Sequence, residues 1–324
     1  MLALSRSYQG AAVLAAAAEL DVFSVLGAGG GVTAEELAGR LGLDVRGTSI
    51  LLDALVALGL ADKRGGRYSV SPEVSALLTG EGGRTVLGMV QHQANCLRRW
   101  SQLAMTVKTG VPAPRIASVL GERGDLEAFI GAMHNVSAPV ADEVVAAVEP
   151  MGFQHLLDVG GASGTWTMAF LRRCPAGRAT LFDLPSVIPL AKARLIAAGM
   201  QDRVDLVAGD YAQDELPGGA DLAWVSAIVH QNSREENRAL FGKVSRALVP
   251  GGRIAIRDIL MSEARTAPVA GALFAVNMLV STGGGGTYTV EELKQDLGSA
   301  GFSGVEVVRK DEGMNAVMIG TIGR

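Results

Sequence analysis

Short apolar runs alternate with helical segments throughout the C-terminal half of the chain, and this alternation limits the possible folds more than any other feature. From His155 onwards, runs rich in Leu, Val and Ile predict seven strands, at residues 156–159, 179–183, 204–209, 222–227, 253–259, 305–309 and 317–321. Helices between most of these strands imply a doubly wound α/β fold, in which helices cover both faces of a parallel sheet. The link at 310–316 is too short for a parallel crossover, so we expect an antiparallel last strand.

The 324-residue chain is long enough for two domains, and its pattern changes twice. Residues 1–84 predict a winged-helix domain. Residues 85–150 predict a helical connector, and residues 151–324 contain the α/β fold.

The winged-helix prediction depends on three local signals. Thr33-Ala-Glu-Glu36 is a capping box that opens one helix, a second helix follows over about 45–58, and Gly65-Gly66 forms a hairpin turn. A DNA-binding regulator would present basic side chains on the second helix, but Arg46 is its only basic residue and the net charge of the chain is −4. We therefore favour a role in dimerisation or packing, with a DNA-binding regulator as the alternative.

Four large apolar residues lie along the predicted connector: Trp100, Met105, Phe129 and Met133. Core packing explains each of them taken alone. As a group, however, they could also form the wall of a pocket for an aromatic ligand.

The remaining composition indicates a cytoplasmic protein without a metal site. Two cysteines, Cys96 and Cys174, form neither a metal-binding pattern nor a disulfide framework. The apolar run at 11–18 resembles the middle of a signal peptide, but it continues without a cleavage region, so we favour a structural helix. No run reaches the roughly 20 apolar residues of a membrane span. We expect neither a membrane nor a nucleic-acid partner.

Glycines follow the first predicted strand of the sheet, where doubly wound folds bind their ligands. Gly160, Gly161 and Gly164 would let the backbone turn tightly and approach a ligand closely. A dinucleotide fingerprint counted from Gly160 would require glycine at the positions of Ala162 and Thr165. An NAD-dependent enzyme therefore fits poorly.

Acidic residues end the second and third predicted strands. Asp183 could accept hydrogen bonds from both hydroxyls of a ribose, or it could cap a helix that begins near Pro185. Asp210 and Tyr211 could bind the amine of an adenine and stack on its ring, or they could form a simple turn. The two strand ends together are suited to a nucleoside.

One of the four histidines, His230, lies where the fold places ligands, just after the fourth strand. Imidazole changes its protonation state close to neutral pH, so His230 could be a general base; a structural role is the alternative. Asp258, towards the end of the fifth strand, could orient His230 and stabilise its charged form, or it could be an ordinary acid at a strand end.

Taken in order, these motifs resemble the class I O-methyltransferases that depend on S-adenosyl-L-methionine (SAM) and carry an N-terminal winged-helix dimerisation domain. That family includes caffeate, acetylserotonin and antibiotic-tailoring enzymes, and the resemblance covers nearly the whole chain. Its strongest segments are Leu157-Asp-Val-Gly-Gly-Ala-Ser-Gly164, Phe182-Asp-Leu-Pro185, Gly209-Asp210, Leu248-Val-Pro-Gly-Gly-Arg-Ile254 and Phe129-Ile-Gly-Ala-Met133.

The resemblance implies a cofactor, a partner and a role for each matched residue. SAM would be the cofactor and S-adenosyl-L-homocysteine the product, His230 the general base and Asp258 its supporting acid. A homodimer would form through the N-terminal domain, and the acceptor would be a small aromatic or polyketide-like molecule. The predicted cofactor site comprises Gly160, Gly161, Gly164, Asp183, Leu184, Gly209, Asp210, Tyr211 and Ser226. The predicted acceptor site comprises Trp100, Phe129, Met133, Asn277 and Met278.

Three departures from the family pattern concern the acceptor side. The family usually has His-Asp-Trp at the base, whereas this chain has His230-Gln231-Asn232, and Ser226 replaces a lysine often found four residues before the histidine. Four glycines at 283–286 lead into Thr287 in place of a Gly-Gly-x-Glu-Arg-Thr segment that carries a second acid. These changes leave open methylation of carbon or nitrogen, a SAM-dependent reaction without methyl transfer, and a mobile glycine lid.

Overall fold

The computed structural model describes residues 1–80, 85–112, 114–148 and 152–323. It divides into two compact units, one formed by Met1–Ser101 and Pro114–Val136 and the other by Gln102–Ala113 and Ser137–Arg324. Residues of the predicted connector, 85–150, therefore occur in both units.

The N-terminal part of the chain is mostly helical, with one small hairpin. Its elements in chain order are α1 (Leu2–Arg6), α2 (Tyr8–Glu19), α3 (Val22–Gly27), α4 (Ala34–Leu41), α5 (Val45–Ala57), β1 (Asp62–Arg64), β2 (Arg67–Ser69), α6 (Pro72–Leu78), α7 (Leu87–Trp100), α8 (Leu103–Thr109) and α9 (Gly121–Ser137). Helix α8 belongs to the second unit.

The helices and the hairpin predicted for the winged-helix region are confirmed. The Thr33 hydroxyl accepts from the backbone N–H of Glu36, whose carboxylate accepts from the backbone N–H of Thr33, so the capping box starts α4. Gly65 and Gly66 have φ values of 55° and 77°, which allow a two-residue turn between β1 and β2. The apolar run at 11–18 lies within α2, where Ala15, Ala17 and Ala18 are buried and the last two belong to the core of this unit.

The second unit contains the sheet. Its further elements are α10 (Ala141–Ala146), β3 (His155–Val159), α11 (Thr165–Arg173), β4 (Arg178–Asp183), α12 (Ile188–Ala197), β5 (Val204–Ala208), β6 (Ala220–Ser226), α13 (Arg234–Ala247), β7 (Leu248–Asp258), β8 (Leu260–Met261), α14 (Val269–Ser281), β9 (Tyr288–Thr289), α15 (Val290–Ser299), β10 (Phe302–Arg309) and β11 (Ala316–Ile322). Two 3₁₀ turns, Gln201–Arg203 and Val229–Gln231, precede β5 and α13.

The main sheet has seven strands in the order β10-β11-β7-β6-β3-β4-β5. Strands β3 to β7 pair in parallel, and β11 is antiparallel to both of its neighbours, as the short final link predicts. Two strands begin at least three residues earlier than predicted, because Leu248 already pairs with Ala220 and Phe302 with Ile322. The doubly wound α/β fold with an antiparallel last strand is therefore confirmed.

Both faces of this sheet are buried, because alternate residues of each strand belong to different cores. Leu157 and Val225 lie in one core, whereas their neighbours Leu156 and Trp224 lie in the other. Capping boxes at Ser233 and at Thr289 start α13 and α15, as predicted. Among the helices that the structure describes, none is long and apolar enough to cross a membrane.

Candidate active site

Five parallel strands, β3 to β7, end at one edge of the sheet, and the loops that follow them form the candidate site. An open parallel sheet binds its ligands at this edge, in the crevice outside the carboxyl ends of its strands. The predicted residues Gly160, Asp183, Gly209, His230 and Asp258 all lie at or beyond these strand ends.

The loop after β3 approaches the end of β4 closely. Gly160 has a φ of 66°, in the left-handed region that favours glycine, and its N–H donates to the Phe182 carbonyl at 2.8 Å. A Cβ on Gly161 would lie 2.5 Å from the Leu181 side chain, so this position has no room for a larger residue. Gly164, with a φ of 75°, precedes the first residue of α11. The loop therefore brings the N-terminus of α11 to this edge.

Asp183 connects the glycine loop to β4. One carboxylate oxygen accepts from the N–H of Ala162 at 2.7 Å, and the other accepts from the N–H of Leu184 at 2.7 Å. Burial raises the pKa of this carboxyl above its ordinary value. The helix-capping alternative is wrong, because α12 begins at Ile188 and Val187 is its N-cap residue.

The bonds of Asp183 are compatible with a ribose. Each oxygen of a carboxylate can accept more than one hydrogen bond, so both can still accept from a vicinal diol. Leu184, which is 45% exposed, follows it and presents an apolar side chain at the same edge. This combination fits the nucleoside half of SAM.

The carboxylate of Asp210 organises the loop after β5. Its two oxygens accept from the N–H of Ala212 and from the amide of Gln213, each at 2.9 Å. The ammonium group of Lys243 donates to the Tyr211 carbonyl at 2.8 Å, and burial raises the pKa of the Tyr211 phenol to about 12. The phenol is therefore neutral at physiological pH. The turn is present in the structure, and the contact of Asp210 and Tyr211 with adenine stays a prediction.

His230 is held in the short turn Val229–Gln231 between β6 and α13, and its side chain is 8% exposed. Its Nδ1 lies 2.9 Å from both carboxylate oxygens of Asp258, which is itself 1% exposed. The Phe274 ring on α14 meets the imidazole edge to face at a centroid distance of 4.8 Å. The predicted pair is thus in direct contact within a largely apolar environment.

The contact with Asp258 determines which nitrogen of His230 can act as a base. A carboxylate only accepts hydrogen bonds, so Nδ1 carries the proton and Nε2 carries the lone pair. Nε2 makes no hydrogen bond to any residue within the described ranges. Asp258 also accepts from the backbone N–H of Ile259 at 2.8 Å, which fixes the carboxylate. The arrangement can remove a proton from a group that approaches Nε2.

Ser226 bonds to an arginine that the sequence analysis did not single out. Its hydroxyl accepts from Arg257 at 3.0 Å, and the guanidinium also donates to Asn315 and lies over the Trp166 ring, 4.5 Å from its centroid. Burial lowers the pKa of Arg257 to about 10. The sequence feature that could have drawn attention to Arg257 is its position as a basic residue in the otherwise apolar run Ile254-Ala-Ile-Arg257. The role of Ser226 in cofactor binding stays a prediction.

Asp158, inside the glycine motif, was also not singled out. It is 1% exposed, accepts from the Thr167 hydroxyl at 2.5 Å, and burial raises its pKa to about 7. The carboxylate of Asp183 adds to this rise by repulsion. Asp158 therefore connects β3 to α11, the two elements on either side of the glycine loop.

The predicted acceptor residues lie on helices of both units. Trp100 ends α7 and Phe129 and Met133 lie on α9, where the Phe129 ring meets His92 at a centroid distance of 5.1 Å. Asn277 and Met278 lie on α14, three and four residues after Phe274, and so share its face of the helix. Phe274, which touches His230, was missed by the sequence analysis. The acceptor roles stay predictions.

Comparisons with known proteins agree with this geometry. Residues 118–303 match the O-methyltransferase domain, and residues 2–80 match the O-methyltransferase dimerisation domain. The chain belongs to the SAM-dependent O-methyltransferase family. It is therefore an O-methyltransferase with SAM as cofactor, and the NAD-dependent alternative is wrong.

Two bacterial relatives and one solved structure illustrate the similarity. The chain is 34% identical to a 3-hydroxy-5-methyl-1-naphthoate 3-O-methyltransferase of Streptomyces sahachiroi, over 95% of this chain and 90% of that protein. It is 32% identical to a tetracenomycin polyketide synthesis 8-O-methyl transferase of Streptomyces glaucescens, over 94% and 91%. The structure of human N-acetylserotonin methyltransferase with SAM superposes with a TM-score of 0.81 at 26% identity, over 99% of this chain and 96% of that one.

Proposed function

We propose that this O-methyltransferase methylates a hydroxyl group of a small aromatic or polyketide-like molecule, with His230 as the general base. The observation that carries the proposal is the contact of His230 Nδ1 with both oxygens of Asp258, which leaves Nε2 as the only proton acceptor of the ring. The naphthoate and polyketide substrates named for the two bacterial relatives support the class of acceptor.

The cofactor side of the proposal uses the loops at the ends of β3 to β5. Gly160, Gly161 and Gly164 provide a close-fitting backbone for the methionine and ribose portions of SAM, and Asp183 accepts from the ribose hydroxyls. Leu184, Gly209, Asp210, Tyr211 and Ser226 complete the proposed cofactor site. Bound SAM supplies an electrophilic methyl group attached to a positively charged sulfur.

On the acceptor side, His230 removes one proton. Nε2 takes the proton of the acceptor hydroxyl, which makes the oxygen a better nucleophile towards the methyl group that bound SAM would supply. Asp258 stabilises the resulting imidazolium, because its carboxylate lies directly against Nδ1. The proton then passes to solvent. General-base help of this kind is typically worth about 10²–10⁴-fold in rate.

Positioning contributes the rest of the proposed mechanism. Trp100, Phe129, Met133, Asn277 and Met278 would line the acceptor, mostly with apolar or aromatic surface that suits a planar molecule. Holding two reactants in line can remove roughly 7–11 kcal/mol of barrier.

We further propose that each of the three regions of the chain has a separate role. Residues 1–84 would form a homodimer, residues 85–150 would line the acceptor site, and residues 151–324 would bind SAM. The match to a dimerisation domain supports the first assignment, and so do exposed apolar side chains of that region, including Leu4 and Ile50.

The test is transfer of a labelled methyl group from SAM to a panel of phenols and polyketide-type hydroxyl compounds, with wild type beside His230→Ala. The control is His155→Ala, because His155 lies at the opposite end of β3 and contacts Thr180. We expect the His230 variant to lose about 10²–10⁴-fold in turnover while calorimetry shows unchanged SAM binding. Unchanged turnover of this variant would remove His230 from the mechanism, and label on carbon or nitrogen would contradict the proposed acceptor.

A further inference from the structure

An asparagine outside the predicted site lies beneath the turn that carries His230. Asn237, in the first turns of α13, is fully buried. Its amide N–H donates to the Val229 carbonyl at 2.9 Å, and its amide oxygen accepts from the side chain of Asn232 at 3.2 Å. Asn237 therefore contacts both ends of the turn, on either side of His230.

A buried amide is costly unless its polar atoms are paired, so these two bonds have a structural purpose. Asn237 lies on the helix that carries Leu240 and Phe241 into the adjacent apolar core. An apolar residue of similar size would suit that core better, but it would leave the carbonyl of Val229 without this donor. Val229 is itself buried, 1% exposed, so water could not replace the donor easily.

The opposite side of the turn is held by the segment that follows α14. The N–H of Gly286 donates to the His230 carbonyl at 2.9 Å, and the Tyr288 hydroxyl donates to the Asn232 carbonyl. The hydrogen bonds from Gly286 and Tyr288, together with those of Asn237, fix the backbone on both sides of the imidazole. The four glycines at 283–286 thus include a residue that bonds to the base-bearing turn.

We infer that Asn237 is a positioning residue for the methyl-transfer reaction, an inference that rests on the proposed role of His230 as base. Asp258 fixes the tautomer of the imidazole and accepts from the backbone N–H of His230 at 3.4 Å, whereas Asn237 bonds to the residues on either side, Val229 and Asn232. Asn237 fixes the position of the turn through its bond to the Val229 carbonyl. It also holds Asn232, the residue found where the family usually has tryptophan. Its loss displaces Nε2 from the line of the acceptor proton.

The experiment compares Asn237→Ala with Val244→Ala, which removes a fully buried side chain from the same helix without touching the turn. Both variants lose packing and should have lower melting temperatures. We expect only Asn237→Ala to lower kcat, by about 10- to 100-fold, because displacements of the order of 1 Å have effects of this size. The Kd for SAM, measured by calorimetry, should be unchanged in both.

A second comparison tests whether Asn237 acts through His230. In the His230→Ala background, the further change Asn237→Ala should have almost no effect on the residual rate, because the group that it positions is absent. Equal losses in the two backgrounds, or a kcat equal to that of Val244→Ala, would overturn the inference. Should Asn237→Ala not fold, Asn237→Leu, which fills a similar volume but has no donor for Val229, takes its place. Full activity of His230→Ala alone would instead refute the proposed base.

Discussion

The carboxylate of Asp258 faces the Nδ1 atom of His230 with both of its oxygens, each at 2.9 Å. A carboxylate in this position does more than attract a positive charge. It selects the tautomer in which Nε2 has the free lone pair, and it prevents rotation of the ring. The pair is buried, so solvent screens this interaction little.

Replacement of Asp258 by asparagine should reduce turnover by about 10²–10⁴-fold, as a wrong histidine tautomer does in comparable pairs. The asparagine amide would donate to Nδ1 and place the proton on Nε2, where it blocks catalysis. Turnover with labelled SAM measures the loss, and calorimetry should show that SAM still binds. A variant with wild-type turnover would show that the carboxylate is not needed.

Replacement of Asp183 by alanine should weaken SAM binding by about 10- to 100-fold, because a charge-assisted hydrogen bond contributes about 1.5–3 kcal/mol. The substitution also frees the N–H groups of Ala162 and Leu184, which loosens the glycine loop. Calorimetric titration with SAM measures the effect. Asp205→Ala is the control, because Asp205 is an exposed acid on β5. Equal affinities of the two variants would contradict the ribose assignment.

Gly285→Ala should impair catalysis more than Gly283→Ala. A Cβ at residue 285 would lie 2.5 Å from the His230 carbonyl oxygen and 2.8 Å from that of Gln231, so the base-bearing turn must shift. At residue 283 a Cβ would meet no atom within 4 Å, and that backbone needs no positive φ. We expect kcat to fall at least about tenfold for the first variant, since small displacements of a reacting group are costly. Steady-state kinetics compares the two, and a clear loss in Gly283→Ala alone would be the contrary result.

Asp158→Asn should raise the thermal stability at pH 8 more than at pH 5. Burial raises the pKa of Asp158 to about 7 in the folded protein, against an ordinary value of 3.8. The folded state therefore binds an extra proton between these values, and its stability falls as the pH rises from about 4 to 7, by at most about 1.4 kcal/mol per pH unit. Asparagine removes this dependence and can still accept from Thr167. Melting temperatures of both proteins from pH 5 to pH 8 provide the measurement; a stabilisation that does not grow with pH would contradict the burial argument.

The elements that the sequence predicted well are those determined by local signals. The strands of the sheet follow from runs of apolar residues, and α4, α13 and α15 begin at capping boxes that are complete within four residues. The pairing of His230 with Asp258 followed from a rule of the fold, because adjacent parallel strands end at the same edge.

The parts of the site that the sequence did not reveal depend on contacts between distant segments. Arg257 bonds to Asn315, Phe274 meets the imidazole from another helix, and Asn237 reaches back under the turn. A single polar residue in an apolar run does not indicate its partner. The burial of Asp158 could not be predicted either, because the glycine motif alone does not show that α11 packs over this residue.

The pairing of β6 with β7 also makes activity a measure of correct folding. Ser226 lies opposite Arg257 in this pair, and Asp258 follows directly. Successive side chains of a strand point to opposite faces, so a slip of one residue would turn Asp258 away from the imidazole and leave the amount of secondary structure unchanged. Recovered turnover after refolding would therefore count only molecules with the native strand alignment, whereas circular dichroism would also count the misaligned ones.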